Sequence, residues 1–547
     1  MICILHGYLL EGSGSNLWTR AIVESLCRQG ETVHLMAQEN HPERYPFVTQ
    51  ARRYGTDGSV ETFYRGERSA AGCCILHKPV LGDTLPVYVW DRYEEFPRVV
   101  PMVELTDPEI EEYLDRNVRA LLRVVAENGV TALHANHGVL MSVVAQRVSE
   151  ATGIPFAVMP HGSALEFAIR RDPRFHRLAT EAFAAAGRVF VHGEEMRGRV
   201  RSILPDVPGL EEKFSDLHLG VDTARFEPVT RNGRRASIER MGETLEGVPR
   251  GRTPAQTEAM LSRLHGGMDA DELRGAFRAA QDYDNKAPDA DVEAKLQAVR
   301  WESDPTLLFV GRLISTKGIH GVLAALPLLL DRCPDLRLLV VGHGPLREPL
   351  EALLWALEHG ERALVERIVA EGRSLEGAPE GEGGGTELTQ AARFLDALRA
   401  RGELDAYYAA ARERVRPDRV VFTGYLTHRE LRYLFPCCDA AVFPSVVKEA
   451  GPLVFLEALA SGAFPLGTYF GGMRASIDSV AEALPPGGAE AMKLSPDPEH
   501  TVADIVRHVP AALEMGERHK EALRRVARER YDWTSVARKL AAELEAL

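Results

Sequence analysis

The residues with the most chemistry in this chain stand in two short runs. One reads Phe443-Pro-Ser-Val-Val-Lys-Glu449-Ala-Gly-Pro452-Leu-Val-Phe-Leu-Glu457-Ala-Leu-Ala-Ser-Gly462, the other Leu307-Leu-Phe-Val-Gly311-Arg312-Leu-Ile-Ser-Thr-Lys317-Gly318. In the first, an apolar strand ends at Phe443, a loop carries Glu449, and Pro452 at a first helical position opens a helix containing Glu457. Unpaired N–H groups in the first turn and the helix dipole suit that place to a phosphate anion. In the second, a strand delivers Gly311, and Arg312 and Lys317 share the loop that follows, a guanidinium fork and a point charge able to meet one diphosphate. Two carboxylates that frame a helix start can touch different parts of one extended ligand, and two cations can hold its phosphates.

Such groups need strand ends to hold them, and the chain supplies two series of strands. The first ~215 residues alternate apolar strands with amphipathic helices, the pattern of βα repeats on a parallel sheet. Strands are expected at Met1–Leu5, Thr32–Met36, Ala132–Ala135, Phe156–Met159 and Val189–Val191, and helices at Leu17–Arg28, Pro108–Asn128 and Met141–Thr152. A second series is expected at Thr306–Val310, Leu336–Val341, Val420–Thr423, Ala440–Phe443 and Phe464–Gly467. The fold class is therefore α/β, two Rossmann-like doubly wound domains. The expected division is residues 1–216, a hinge over 217–229, an inserted segment 230–303, a second domain over 304–528 with its own insertion 355–417, and a last helix from 529 that packs back on the first domain. The insertions read as decoration, oligomerisation arms or acceptor-site covers. Within the second, Glu376-Gly-Ala-Pro-Glu-Gly-Glu-Gly-Gly-Gly385 reads as a flexible loop.

Composition removes several classes. A net charge of −14 over 547 residues disfavours broad attachment to nucleic acid or anionic lipid. No apolar run nears the ~20 residues that cross a bilayer. Seven cysteines, with adjacent pairs Cys73-Cys74 and Cys437-Cys438 and no CxxC, read as reduced thiols, and Met1–Gly7 reads as a strand rather than a leader, so a cytoplasmic protein is expected. No metal is expected: Asp269-Ala-Asp271 and Asp289-Ala-Asp291 fall in an acidic insertion by chance, and His134 and His137 flank Asn136 as ordinary strand-end residues. Arg170, Arg171 and Arg174 read as a solvated basic face before they read as an acceptor clamp.

The two runs resemble the E-x7-E and G-R-x4-K-G motifs of family 4 retaining glycosyltransferases, and the resemblance implies a GT-B architecture with the two domains facing across a cleft. It also implies the roles. Glu449 would meet donor-sugar hydroxyls and Glu457 the ribose, while the N–H groups of Gly451, Leu453 and Val454 would face the diphosphate and Arg312 and Lys317 would clamp it. Gly424-Tyr425-Leu426, in Val421-Phe-Thr-Gly-Tyr-Leu426, resembles the loop whose backbone recognises the nucleobase. His161, in Val158-Met-Pro-His161-Gly-Ser163, resembles the histidine beside the donor sugar, and the turn Gly7–Asn16, with Gly12 and Gly14, resembles a loop that closes over phosphate and acceptor. Leu217-His-Leu-Gly220-Val-Asp222 resembles the family's N-G-V-D turn with Leu219 in place of Asn. The implied donor is a UDP- or GDP-sugar. The acceptor stays open among small metabolites, saccharides and lipid head groups. A nucleotide-sugar epimerase of the same fold and a non-catalytic nucleotide-sugar-binding protein are the alternatives, and a homo-oligomer built through the insertions is a further expectation.

Overall fold

The computed structural model describes residues 1–547 apart from 12–13, 69–70, 89–95, 378–384, 449–450, 452, 482 and 485–486. Gly12 and Glu449, two of the expected site residues, lie outside the described residues, as do Pro452 and most of the run Glu376–Gly385. The chain divides into two units: Met1–Gly220 with Arg530–Leu547, and Val221–Glu529.

The first unit holds β1 (Ile2–Leu5), β2 (Thr32–Met36), β3 (Val48–Tyr54), β4 (Val60–Arg65), β5 (Cys73–Pro79), β6 (Thr84–Val87), β7 (Arg98–Pro101), β8 (Ala132–Asn136), β9 (Phe156–Met159), β10 (Arg188–Val191) and β11 (Phe214–Asp216). Nine of them form one sheet in the order β11-β10-β9-β8-β1-β2-β5-β3-β4, parallel except for the antiparallel β3–β4 pair, and β6 and β7 pair separately. The strand order reverses at β1, which lies between β2 and β8, and ligands of open α/β sheets bind beside the carboxyl ends at such a reversal. The helix Trp533–Glu545 turns Val536, Ala537, Leu540 and Leu544 into this unit's core alongside Ile22, Val23 and Leu26 of helix Gly14–Arg28. Their helical spacing makes one apolar stripe, so the C-terminal segment is part of this unit's core.

The second unit holds β12 (Thr306–Val310), β13 (Arg337–Val341), β14 (Val420–Gly424), β15 (Ala440–Phe443), β16 (Phe464–Thr468) and β17 (Lys493–Leu494), all parallel, in the order β14-β13-β12-β15-β16-β17. Counted from β12, that is the Rossmann order 3-2-1-4-5-6, with its reversal between β12 and β15. Those two strands carry the chemically rich runs out of the sheet.

The segment 230–303 is part of this unit's packing. Its helices Arg234–Thr244, Pro254–Leu261, Ala270–Arg278 and Val292–Gln297 bury Met260, Leu273, Val292 and Leu296, and Trp301 past the last helix is fully buried. Charge completes the attachment. Arg234, 0% exposed, pairs with Asp439, 2% exposed, at 2.5 Å. Arg252, 1% exposed, pairs with Glu348 at 2.6 Å and Glu351 at 2.7 Å, and Arg347 pairs with Asp289 at 2.8 Å. Buried charges persist only when paired, so sequence polarity here hides an interior.

Candidate functional site

In the second unit, the loops after β12, β13, β14 and β15 leave the sheet's carboxyl edge on either side of the reversal. Gly311 and Arg312 follow β12; the Leu313 N–H donates to His343 O at 2.8 Å, and the Gly342 N–H donates to Gly424 O at 3.0 Å. The loops after β12, β13 and β14 are thereby laced together. Gly342 has φ 147°, and a Cβ there would lie 1.8 Å from Gly311 O, so only glycine allows this approach. Arg312 is exposed, and Ser315–Lys317 forms a 3₁₀ turn that puts Lys317 on the same loop, half-buried.

That loop is bonded to the one that follows β15. Val446 N–H donates to Thr316 O at 2.8 Å and the Ser445 hydroxyl to the same oxygen at 3.1 Å. Gly318, at φ 74°, lets Pro444 O approach to where a Cβ would stand 1.9 Å away. Past this loop the helix Leu453–Ser461 begins with Leu453 and Val454, both half-buried, as is Gly451 before it. The first-turn N–H groups of this helix lack intrahelical acceptors. Glu457 stands one turn further on, 5% exposed. Its Oε1 accepts from His428 Nε2 at 2.7 Å, and its Oε2, also buried, has no hydrogen-bond partner among the described residues. Of the expected residues, Gly311, Arg312, Lys317, Gly424, Tyr425, Leu426, Gly451, Leu453, Val454 and Glu457 thus belong to this unit, on the loops and helices that leave one sheet edge.

Both insertions reach the same edge. The Tyr425 N–H donates to Ala287 O at 3.1 Å and Asp289 N–H to Thr423 O at 2.9 Å, so residues 287–289 pair with the loop read as the base-recognition loop and take up one of its N–H groups. From the second insertion, Ser315 N–H donates to Glu376 Oε2 at 3.1 Å and Gln390 Nε2 to Pro444 O at 2.9 Å. His343 and His428 are residues that sequence reasoning missed. His343 sits edge-on to Tyr425, ring centroids 5.1 Å apart; burial first, then the charges of Arg312 and Lys286, push its imidazole below its ordinary range, so it is neutral at pH 7. The signal for it was the Gly-His-Gly that ends β13.

In the first unit, the reversal at β1 and β8 gathers His6, Asn16, Thr19, Asn136 and His161. His161 Nε2 lies 2.6 Å from Asn136 Oδ1, an acceptor, so it carries the proton. Asn136 Nδ2 donates to His6 Nδ1 at 2.9 Å and to Thr19 Oγ1 at 2.6 Å, and His6 Nε2 donates to Asn16 Oδ1 at 3.0 Å and Leu9 O at 3.1 Å. Every role is met by neutral imidazoles. Burial agrees, pushing His6 down to about 4 and His161 down to about 3. His137 stacks over His6 and leans on the His161 ring at 4.9 Å, and both His137 (φ 121°) and Leu140 (φ 61°) have left-handed backbone, a strain that gathers at functional sites. Asn136, the hub, is a residue that sequence reasoning missed. Gly14 begins the helix that supplies Asn16 and Thr19.

Other expected features have structural work. Asp269 caps the helix Ala270–Arg278, and Asp289 is held by Arg347 and Lys295. Arg174 is bound by Asp172 at 2.7 Å and Asp107 at 2.8 Å, Arg170 pairs with Glu166 at 3.2 Å, and Arg171 lies over the Phe167 ring.

Residues 291–365 match one family model, and residues 393–503 another, both described as glycosyl transferases group 1. Both matched segments fall within the second unit. The chain is 27% identical over 152 residues to an alpha-D-kanosaminyltransferase of Streptomyces kanamyceticus, covering 27% of this chain and 35% of the relative. It is 27% identical over 231 residues to a glycogen synthase of Mycobacterium tuberculosis, covering 42% of this chain and 40% of the relative. The chain thus spans well under half the length of these relatives. Among solved structures, a glycosyltransferase from Rickettsia africae aligns over 100% of this chain and 97% of its own at 12% identity with TM-score 0.51. A trehalose-6-phosphate protein from E. coli bound with UDP-2-fluoro glucose aligns over 100% and 99% at 10% identity with TM-score 0.50. The fold is GT-B. No helix among the described residues is long and apolar enough to cross a membrane.

Proposed function

We propose that this chain is a retaining hexosyltransferase that moves a sugar from a nucleoside diphosphate donor to a hydroxyl acceptor without a metal ion. The observation that carries the reading is the bonded pair of loops at the β12–β15 reversal, where Val446 and Ser445 grip Thr316 between Arg312 and Lys317, directly before the helix start at Leu453. Diphosphate binds to the first-turn N–H groups and between the two cations. As the bond from the anomeric carbon to the diphosphate oxygen breaks, negative charge grows on the β-phosphate, and Arg312 and Lys317 stabilise it in place of a metal. The departing phosphate oxygen takes the acceptor's proton on the face where the new bond forms, which gives retention. Glu457 holds the ribose. Glu449, by its place in the motif, orients the donor sugar. His161, by the resemblance its segment carries, is proposed to orient the donor sugar with Glu449. The proposed donor is a UDP- or GDP-sugar, and the proposed location is the cytoplasm.

Lys317→Ala tests this. Turnover, followed as acceptor-dependent release of UDP or GDP, is expected to fall by about 10²-fold or more, the cost of removing one preorganised group that stabilises developing charge. The melting temperature should stay close to that of the parent, because Lys317 is half-buried on a loop. An unchanged rate would remove the clamp from the mechanism.

A further inference from the structure

We infer that His428 is a positioning residue for ribose: it ties up one oxygen of the Glu457 carboxylate and so aims the other at the sugar's hydroxyls. The inference rests on the donor-site reading above and adds to it a residue outside the motifs. Three observations carry it. Glu457 is 5% exposed, and a buried carboxylate oxygen is costly unless a donor meets it. One of its oxygens is satisfied, by His428 Nε2 at 2.7 Å, and the other, Oε2, has no partner among the described residues. An acceptor-only group facing a ligand with adjacent hydroxyls is the complement that a cis-diol requires.

The histidine is itself held. Thr427 caps the helix His428–Leu434 in a capping box with Glu430, which fixes His428 at the first helical position, immediately after Gly424-Tyr425-Leu426. The Phe226 ring meets the His428 ring edge-on at 6.2 Å, and Phe226 is braced by Phe435 at 5.7 Å. Phe226 is 2% exposed, so the imidazole leans on a fixed wall. One short helix thus follows the base-recognition loop and sets the angle of the ribose carboxylate. Base and ribose recognition become one rigid assembly, and Glu457 loses the rotamer freedom it would otherwise give up on binding.

The test uses the full chain and isothermal titration with UDP, GDP and ADP and, for the tightest of these, its 2′-deoxy and 3′-deoxy forms, with inorganic pyrophosphate as a probe of the diphosphate clamp alone. The parent should prefer the ribonucleotide over at least one deoxy form by about 10-fold or more, as expected for one hydrogen bond to a charged group. Glu457→Gln and His428→Ala should each bring that ratio to within about 3-fold while pyrophosphate binding stays at the parent value, and His428→Gln, which keeps a donor, should restore part of it. A His428→Ala chain that weakens ribonucleotide, deoxynucleotide and pyrophosphate alike would show a merely structural role and overturn the inference. An unaltered ratio would overturn it too. If the parent binds none of the three nucleotides, it is the donor-site reading that fails.

Discussion

Asp439 sits where the second unit's two site-bearing strands begin, and its removal should loosen both. Its Oδ2 accepts from the Thr306 N–H at 2.9 Å and the Thr306 hydroxyl at 3.0 Å, and the Asp439 N–H donates to Thr306 O at 3.1 Å. One side chain therefore sets the offset of β15 against β12. Its Oδ1 accepts from Arg234 at 2.5 Å and Arg231 at 3.0 Å, which pins the segment 230–303 to the same point. Burial alone would push the Arg234 guanidinium down, but Asp439 beside it holds it above its ordinary value. Asp439→Ala leaves that fully buried cation with only the half-exposed Glu517 carboxylate, at 3.6 Å, and orphans the Thr306 N–H. Breaking a buried pair from one side costs about 3–5 kcal/mol, so ~4 kcal/mol is expected here. At 1.4 kcal/mol per decade that is about a 10³-fold loss of hydrogen-exchange protection. Exchange of the peptides spanning β12 and β15, read by mass spectrometry, measures it without requiring the two units to unfold together. The paired replacement Arg234→Met with Asp439→Leu should recover most of the loss, to within about 2 kcal/mol, because Arg231 is partly exposed and rehydrates while only the Thr306 N–H stays unpaired. Protection within 10-fold of the parent in Asp439→Ala would refute the claim that this ion pair, rather than apolar packing, attaches the segment.

Two further outcomes follow from single positions. His134 is buried in β8 between the rings of Trp18 and Phe190, and burial, with a smaller push from His6, drives it down to about 3 from an ordinary 6.5. The unfolded chain therefore binds a proton there below pH 6.5 that the folded chain refuses: stability from this group is complete above pH 6.5 and falls steadily as pH drops toward 3. His134→Leu should gain ~2 kcal/mol on the parent between pH 7.5 and pH 5, measured by denaturant unfolding of the first unit, and parallel pH profiles would count against it. Gly318→Ala should lower the melting temperature and abolish nucleotide binding, since the Cβ would stand 1.9 Å from Pro444 O at a φ that itself costs about 1–2 kcal/mol; binding at the parent's affinity would show that the two loops need not be locked.

The second sheet was readable because buried parallel strands are short apolar runs closed by glycine, proline or aspartate, and Thr306–Val310 and Ala440–Phe443 stand where the pattern puts them. The strands β3, β4 and β5 escaped for the opposite reason. In Val-Thr-Gln-Ala-Arg-Arg-Tyr54 the buried and half-buried positions do not alternate cleanly, because β3 pairs with β4 on one side and β5 on the other near the sheet's exposed end, where arginines and a tyrosine serve as well as valines. The segment 230–303 reads as an appendage since its sequence is polar, yet the partners that make Arg252 and Arg234 interior lie 96 and 205 positions away. No local window holds both halves of such a pair.

The same limit divides the candidate site. Glu457, Arg312 and Lys317 were legible because each stands at a fixed distance from a strand end, and the strand brings it to the edge. His428 was not, although half of its placement is local: Thr427-His-Arg-Glu430 is a capping box that any reading of helix starts detects, and it fixes His428 in the first turn. The other half is the approach of two helices whose strands β14 and β15 are separated in the sheet by β13 and β12. Connections that cross the sheet's reversal place residues 29 positions apart at 2.7 Å. The motif residues of a site are thus the ones whose positions a single strand determines, and the residues that aim them depend on the order of the strands.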